Sequence, residues 1–327
     1  MNLTKHAIIL IGVILLIGCT GGNGGTKDGS GKLPNSYAQL HAGTEGLRIE
    51  FINSAPPDQI FASVKDEEGL PVNIGLRISN KGTSDVADGL ITISTDEDYI
   101  AISEHEKQLN IKGKSQDNPA GDLEIELFSG TTKRFRDVQS QKRQAQIIAT
   151  ACYKYKTEYV DFTCVDTGVL SPNTKEKICS AADMSSSSQG SPVAVTKVEP
   201  KIFPKSTDGI IESVSPEYLI TIQNVGTGRV TSPDIDVTAL CRGTGIDYET
   251  LKGALNTIKV SASLSAQELQ CTPSIIKMEN NRAQISCRTT EPISASNPTY
   301  KAPLKITVDF GYTNIISKQV TIVRKDY

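Results

Sequence analysis

The cysteines are the residues of this chain best placed to do chemistry: Cys19 alone near the start, then Cys152, Cys164, Cys179, Cys241, Cys271 and Cys287. No two of them stand in C-x-x-C spacing, and the only histidines are His6, His41 and His105. That is too little for a structural zinc site, so neither a metal nor any other cofactor is expected. The six later cysteines are even in number and fall three to each half of the sequence, which suits disulfides in an exported chain. Cys152 and Cys164 lie equidistant from Glu158, and Cys271 and Cys287 from Glu279. A hairpin turning at each centre would set the two thiols opposite one another. The expected bonds are therefore Cys152 to Cys164 and Cys271 to Cys287, which leaves Cys179 and Cys241 for each other.

The remaining groups point away from catalysis. Nucleophilic chemistry needs a positioned base, and His105, in Ser103-Glu-His-Glu106, reads as a solvated loop histidine between two acids. No catalytic residue is expected, and the chain is read as not an enzyme. Asp96-Glu-Asp98 and Asp66-Glu-Glu68 are rich in oxygen ligands but lack the spacing of a dedicated calcium loop. Gly21 to Gly25 lacks the Lys-Ser/Thr of a phosphate loop. Lys133, Arg134, Arg136, Lys142 and Arg143 form one local basic cluster, read as a solvated loop or a charge-blunted edge ahead of a site for anionic lipid or acidic polymer. Tyr153, Tyr155 and Tyr159 alternate as residues of a strand do, so core packing is preferred to a sugar-stacking platform.

These residues must be held by short strands. The sequence has 327 residues, no Trp, 5% aromatics and Val, Ile and Thr in alternating runs, which predicts an all-β fold. Its formal charge of -3 gives no basic excess to drive binding to nucleic acid. At the start, Lys5 and His6 precede an apolar run from Ala7 to Ile17 that closes on Gly18-Cys19. The run is too short for an ordinary membrane span and fits the apolar core of a signal peptide. Leu16-Ile17-Gly18-Cys19 resembles the lipobox of exported lipoproteins, which makes Cys19 the expected lipid attachment site. An uncleaved N-terminal anchor is the alternative for residues 1–19. Residues 20–46 are Gly/Ser-rich and read as a flexible stalk. Met184-Ser-Ser-Ser-Ser-Gln-Gly-Ser divides the rest of the chain into a first β-sandwich, 47–183, a linker, 184–191, and a second β-sandwich, 192–327.

The two halves echo one another at a spacing of 144 residues. Leu76-Arg-Ile-Ser-Asn80-Lys-Gly82-Thr matches Ile220-Thr-Ile-Gln-Asn224-Val-Gly226-Thr, in each case a half-buried strand followed by an Asn-x-Gly turn suited to left-handed backbone. Ala149 to Tyr155 likewise lines up in parity with Ile306 to Tyr312. The strand-Asn-x-Gly-strand pattern resembles immunoglobulin-like, CARDB-type modules. Together with Cys152-Tyr-x-Tyr-x-Thr157, Gln189 to Val198 and Pro303 to Tyr312, it resembles a group of uncharacterised exported archaeal lipoprotein-like surface proteins. The resemblance implies a surface location, a sandwich fold and no catalytic residue; with the internal echo and the N-terminal segment, the expectation is two tandem immunoglobulin-like β-sandwich domains anchored on the outer face of the cytoplasmic membrane. The expected function is structural or adhesive, with the membrane as one partner through the anchor and an envelope protein or polysaccharide as another. A solute-binding lipoprotein and a filament subunit donating the strand Ile315 to Val323 are the alternatives.

Overall fold

The computed structural model describes residues 35–65, 69–137, 139–169 and 177–326. The first part of the sequence forms helix α1 (Asn35–Leu40) and strands β1 (Leu47–Phe51), β2 (Gln59–Ser63), β3 (Pro71–Asn80), β4 (Val86–Thr95), β5 (Ile100–Ile102), β6 (Glu106–Ile111), β7 (Leu123–Thr132) and β8 (Lys142–Val165). It continues with β9 (Met184–Ser185), β10 (Val193–Thr207), β11 (Ile210–Asn224), β12 (Arg229–Thr231) and helices α2 (Val237–Arg242) and α3 (Tyr248–Ala254). The last part forms β13 (Thr257–Leu264), β14 (Gln267–Thr272), β15 (Ile275–Lys277), β16 (Arg282–Thr289), β17 (Ile293–Ser294) and β18 (Tyr300–Lys325). The chain is all-β, as its composition predicts.

The strand β8 shows why. From Lys142 to Val165 it contains neither Gly nor Pro, and Ala145, Ile147, Ala149, Ala151, Tyr153, Tyr155, Thr157 and Tyr159 are buried in strict alternation. Period 2 with β-branched and aromatic residues is the signature of a strand with one covered face. Its 24 residues extend for roughly 80 Å at about 3.3 Å per residue. The strand β18 runs antiparallel beside it, from Tyr300 opposite Val165 to Val323 opposite Lys142.

These two strands carry the rest. Beside the first half of β8 lies β4, and β6 follows β4; on the other side, β2 adds in parallel to the end of β18, Gln59 opposite Thr321. A separate four-stranded sheet, β1-β3-β7-β5, packs over that end in a sandwich-like arrangement. Its Ile74, Leu76, Ile78 and Phe128 share one buried cluster with Ile91, Ile93, Ile147 and Ala149. Along the other end, β13 pairs with β18, and the sheet continues through β14, β16, β11 and β10 to β9. The strands β12, β15 and β17 attach to β18, β13 and β11. The helices α2 and α3 cover the outer side of β8, where Cys152, Ile235, Val237 and Ala254 make a small second core.

The register has a consequence for the expected division at 184–191. The sandwich-like layers that contain β1 to β7 are completed by Thr313 to Lys325, and those that contain β9 to β17 are completed by Lys154 to Val165. Each end therefore borrows a strand from the far part of the sequence. The residues expected to link are packed: Gln189 and Ser191 are buried, the Gln189 side chain bonds Val195 through both its N–H and C=O, and the Thr157 hydroxyl donates to Ser191 at 2.7 Å. The described residues lie in one compact unit. Of the expected stalk, residues 35–40 form α1, while Gly43 and Gly46 accept bonds from Gly190 and Lys81; residues 20–34 lie outside the described part. Ile315 to Val323, the donated strand of the alternative reading, is paired within its own chain by β8 along its length and by β2 at its end.

Three disulfides close, and two differ from expectation. Cys271 bonds Cys287 as expected, the two being directly opposite on β14 and β16. Cys152 bonds Cys241, and Cys164 bonds Cys179. The expected pair Cys152 and Cys164 sits on one uninterrupted strand, twelve residues and so roughly 40 Å apart, because nothing near Glu158 turns the chain. The bond from Cys152 to Cys241 pins α2 against β8 and spans 89 residues, a closure that contributes about 4.5 kcal/mol on the chain-entropy relation.

Candidate functional site

The repeated Asn-x-Gly turns are built alike, on tyrosines from the two long strands. Tyr155, on β8, donates its hydroxyl proton to Asn80 Oδ1 at 3.1 Å and accepts the Ser84 N–H at 3.2 Å. Tyr312, on β18, donates to Asn224 Oδ1 at 3.2 Å and accepts the Gly228 N–H at 2.8 Å. Each Asn amide in turn donates to the carbonyl four residues on, Ser84 or Gly228. Neither Gly82 nor Gly226 takes a positive φ, so left-handed backbone is not what the motif supplies. A Cβ on Gly82 would overlap the Tyr155 hydroxyl, and one on Gly226 the Tyr312 hydroxyl; the glycine makes room for the tyrosine.

Tyr153 completes the arrangement, accepting the Leu47 N–H at 3.1 Å. Tyr153, Tyr155, Phe310 and Tyr312 meet at ring-centroid distances of 5.6 to 6.1 Å where the long strands cross the middle of the molecule, within the range of favourable aromatic contacts. Tyr153, Tyr155 and Tyr159 are all buried, so they pack the core and offer no platform to a sugar.

Burial holds these phenols protonated. The Tyr153, Tyr155 and Tyr159 hydroxyls are pushed above the ordinary value by desolvation, and Tyr218 and Tyr312 are pushed up to about 12. A pKa raised on folding contributes stability that is whole below the unfolded value near 10 and is lost as pH rises through the folded value. Stability is thus expected to fall steeply above about pH 10, with tyrosinate absorbance appearing late and in step with unfolding. A smooth ionisation near pH 10 of all the tyrosines in a still folded chain would contradict this.

On the outer side of the same crossing lies an open groove of about 540 Å³ lined by Asp85, Asp88, Lys154, Lys156, Asp234, Lys259 and Asp309 among others. The alternation that buries Tyr153 and Tyr155 turns Lys154 and Lys156 outward. Asp309 stands directly opposite Lys156 on one neighbouring strand and Lys259 on the other. Burial raises the Asp309 carboxyl above the usual aspartate value, with Glu158 and Asp234 adding to the rise and the two lysines opposing it. Mixed carboxylates and ammonium groups suit hydrogen bonding to a polar ligand. No local pattern in the sequence marks this groove, because its members come from strands far apart in the chain.

The other candidate residues lie away from it. His105 is exposed with Nδ1 3.3 Å from the Ile93 carbonyl, and neighbouring Glu106 forms a two-point ion pair with Arg242 that ties α2 to β6. Asp96 accepts the Asp98 N–H in a local turn. Lys133, Arg134 and Arg136 line a concavity shared with Asp98 and Asp137, and Arg143 pairs with Asp137, so acids temper the basic cluster. Among the described residues no three His, Cys, Asp or Glu gather as a metal-binding group. Cys19, Gly21 to Gly25 and Asp66-Glu-Glu68 lie outside the described residues.

No known family and no curated protein matches the chain. Among solved structures, it is similar to the YadV chaperone at 8% identity and a TM-score of 0.18, over 74% of this chain and 84% of that one. It is also similar to red sea bream transglutaminase at 7% identity and a TM-score of 0.19, over 86% of this chain and 31% of that one. Likenesses this slight carry no argument about function.

Proposed function

We propose that the chain is a non-catalytic structural or adhesive binding protein of the cell envelope, held by lipid at Cys19 on the outer face of the cytoplasmic membrane. The observation that carries the reading is that all six cysteines after Cys19 are joined in disulfides, a state that belongs to an oxidising compartment. The short apolar run ending at Cys19 supports the anchor, and the charge of -3 argues against a nucleic-acid partner. An envelope protein or polysaccharide is the partner in this reading. The twin tyrosine-locked turns support descent from two copies of an immunoglobulin-like unit of the CARDB type.

Two measurements on intact cells test it. Surface proteolysis should release peptides of residues 47–327, and mass analysis of the mature N-terminus should find acylated Cys19. Cys19→Ser should leave the protein soluble or held as precursor. An unmodified Cys19 within an intact segment 1–20, in protein inaccessible to the protease, would sink the proposal.

A further inference from the structure

The edge of β7 is left open over most of its length among the described residues. Thr132 donates its N–H to Leu70 at 2.8 Å, and Asp122 accepts from Asn80 at 3.0 Å, so the even-numbered residues of β7 turn their backbone groups toward β3. The odd-numbered residues, Leu123, Ile125 and Leu127 among them, direct N–H and C=O toward the open side. The same parity holds at Ser129, whose carbonyl accepts the Ser103 N–H at 2.9 Å. The strand β5 covers only Gly130 to Thr132. Two other edges are blunted or covered: β10 carries Pro200 and Pro204, and on β2 the Ser63 carbonyl accepts the Phe135 N–H at 2.9 Å.

These three residues, whose outward backbone groups meet no partner among the described residues, also expose apolar side chains, Leu123 by 52%, Ile125 by 55% and Leu127 by 56%. Between them Glu124 and Glu126 point to the inner face, paired in register with buried Ile78 and Leu76. Glu126 is met by Lys107 at 3.1 Å; among the described residues Glu124 has no ion-pair partner. Glu124 shares its face of the strand with Glu126, two carboxyls to the one ammonium of Lys107, and burial followed by the charges of Glu126 and Asp122 pushes the Glu124 carboxyl up.

We infer that β7 receives an extended segment of another protein as an added strand, one that alternates apolar residues opposite Leu123, Ile125 and Leu127 with Lys or Arg opposite Glu124 and Glu126. Added strands take affinity from main-chain bonds and specificity from alternate side chains. Charge decides between this occupant and a second copy. Two β7 edges paired antiparallel about Ile125 would set Glu124 against Glu126 twice, and like charges directly opposite are destabilising. The inference rests on the chain being a binding protein and is independent of where it is anchored.

The full chain in mild detergent is titrated with an end-blocked peptide, Thr-Val-Lys-Val-Lys-Val-Thr, and with its Glu-for-Lys counterpart. The Lys peptide should bind saturably and slow hydrogen exchange at the Leu123, Ile125 and Leu127 amides, while the Glu peptide should not. Ile125→Pro removes an outward N–H from an edge strand, where proline is tolerated, and should weaken binding by about tenfold or more. Ile125→Lys, which alters only an exposed side chain, should weaken it too and keeps the test sound if the proline variant unfolds. Equal binding of both peptides, or binding indifferent to both variants, would overturn the inference. So would a concentration-dependent dimer that Ile125→Lys dissolves, since a second copy would then own the edge. None of these results bears on the anchor, which the cell-surface measurements judge separately.

Discussion

A chain ending at Asn314 is expected not to fold at the end that holds β1 to β7, and a peptide of residues 315–325 is expected to restore it. The truncation removes the strand that lies between β8 and β2. Val320 and Ile322, exposed by 1% and 0%, leave the core at a cost of about 2 kcal/mol each. The backbone groups of two strands also lose their partners at once. The sum is comparable with the whole stability of a domain, about 5 to 15 kcal/mol. The same register predicts that residues 47–183 alone lack a cooperative transition, since their layers miss β18, and that adding residues 192–327 supplies it. Circular dichroism with thermal melting reads each case. A cooperative melt of the truncated chain, unchanged by the peptide, would show that the long strand is dispensable there.

Why a division at 184–191 reads plausibly in sequence although strand pairing crosses it is a matter of range. A strand's alternation is local, so Leu76 to Ile78, Ile220 to Ile222 and the all-β class are legible. Which strand lies beside which is set by residues more than a hundred positions apart, as when Lys142 faces Val323, and no local pattern records it. The pairing expected for Cys152 and Cys164 fails for a more visible reason. Equal distance from Glu158 is not a turn signal, and Cys152 to Cys164 contains no Gly, Pro or Asn, so with nothing to turn the chain the alternation from Tyr153 to Tyr159 already describes one strand. Between Cys271 and Cys287 the intervening Asn280 and Asn281 do turn, with φ of 50° and 63°, and there the expected bond forms. The helices α2 and α3 escape the sequence reading although Asp236 and Asp247 cap them; each is too short to show an apolar period. The edge at β7 reads in sequence as an ordinary half-buried strand. Only the register with β3 shows that its apolar residues are the ones facing out.

The repeated turns permit a comparison of one substitution in two settings, and the expected costs differ. Asn80 is fully buried and makes four bonds: its amide donates to the Ser84 and Ile111 carbonyls, and its oxygen accepts from the Gly82 N–H and the Tyr155 hydroxyl. Asn80→Ala strips a partner from all four groups in a place water does not reach, and leaving buried polar groups unmade is the expensive direction of hydrogen-bond loss. A cost of about 3 to 5 kcal/mol is expected, in the range reached by broken buried networks. Asn224 makes the matching bonds to Gly228, Gly226 and Tyr312 but is only partly buried, so water can replace some of them and Asn224→Ala should cost about 1 to 2 kcal/mol. Tyr155→Phe should cost less on top of Asn80→Ala than it costs alone, because the two share one bond; what remains is the Ser84 N–H, which loses its acceptor in either background. Denaturant unfolding of the two alanine variants and the Asn80–Tyr155 double-mutant cycle decides it: equal costs at the two asparagines would mean that burial does not set the cost, and fully additive costs at Asn80 and Tyr155 would mean that the bond between them contributes nothing to the turn.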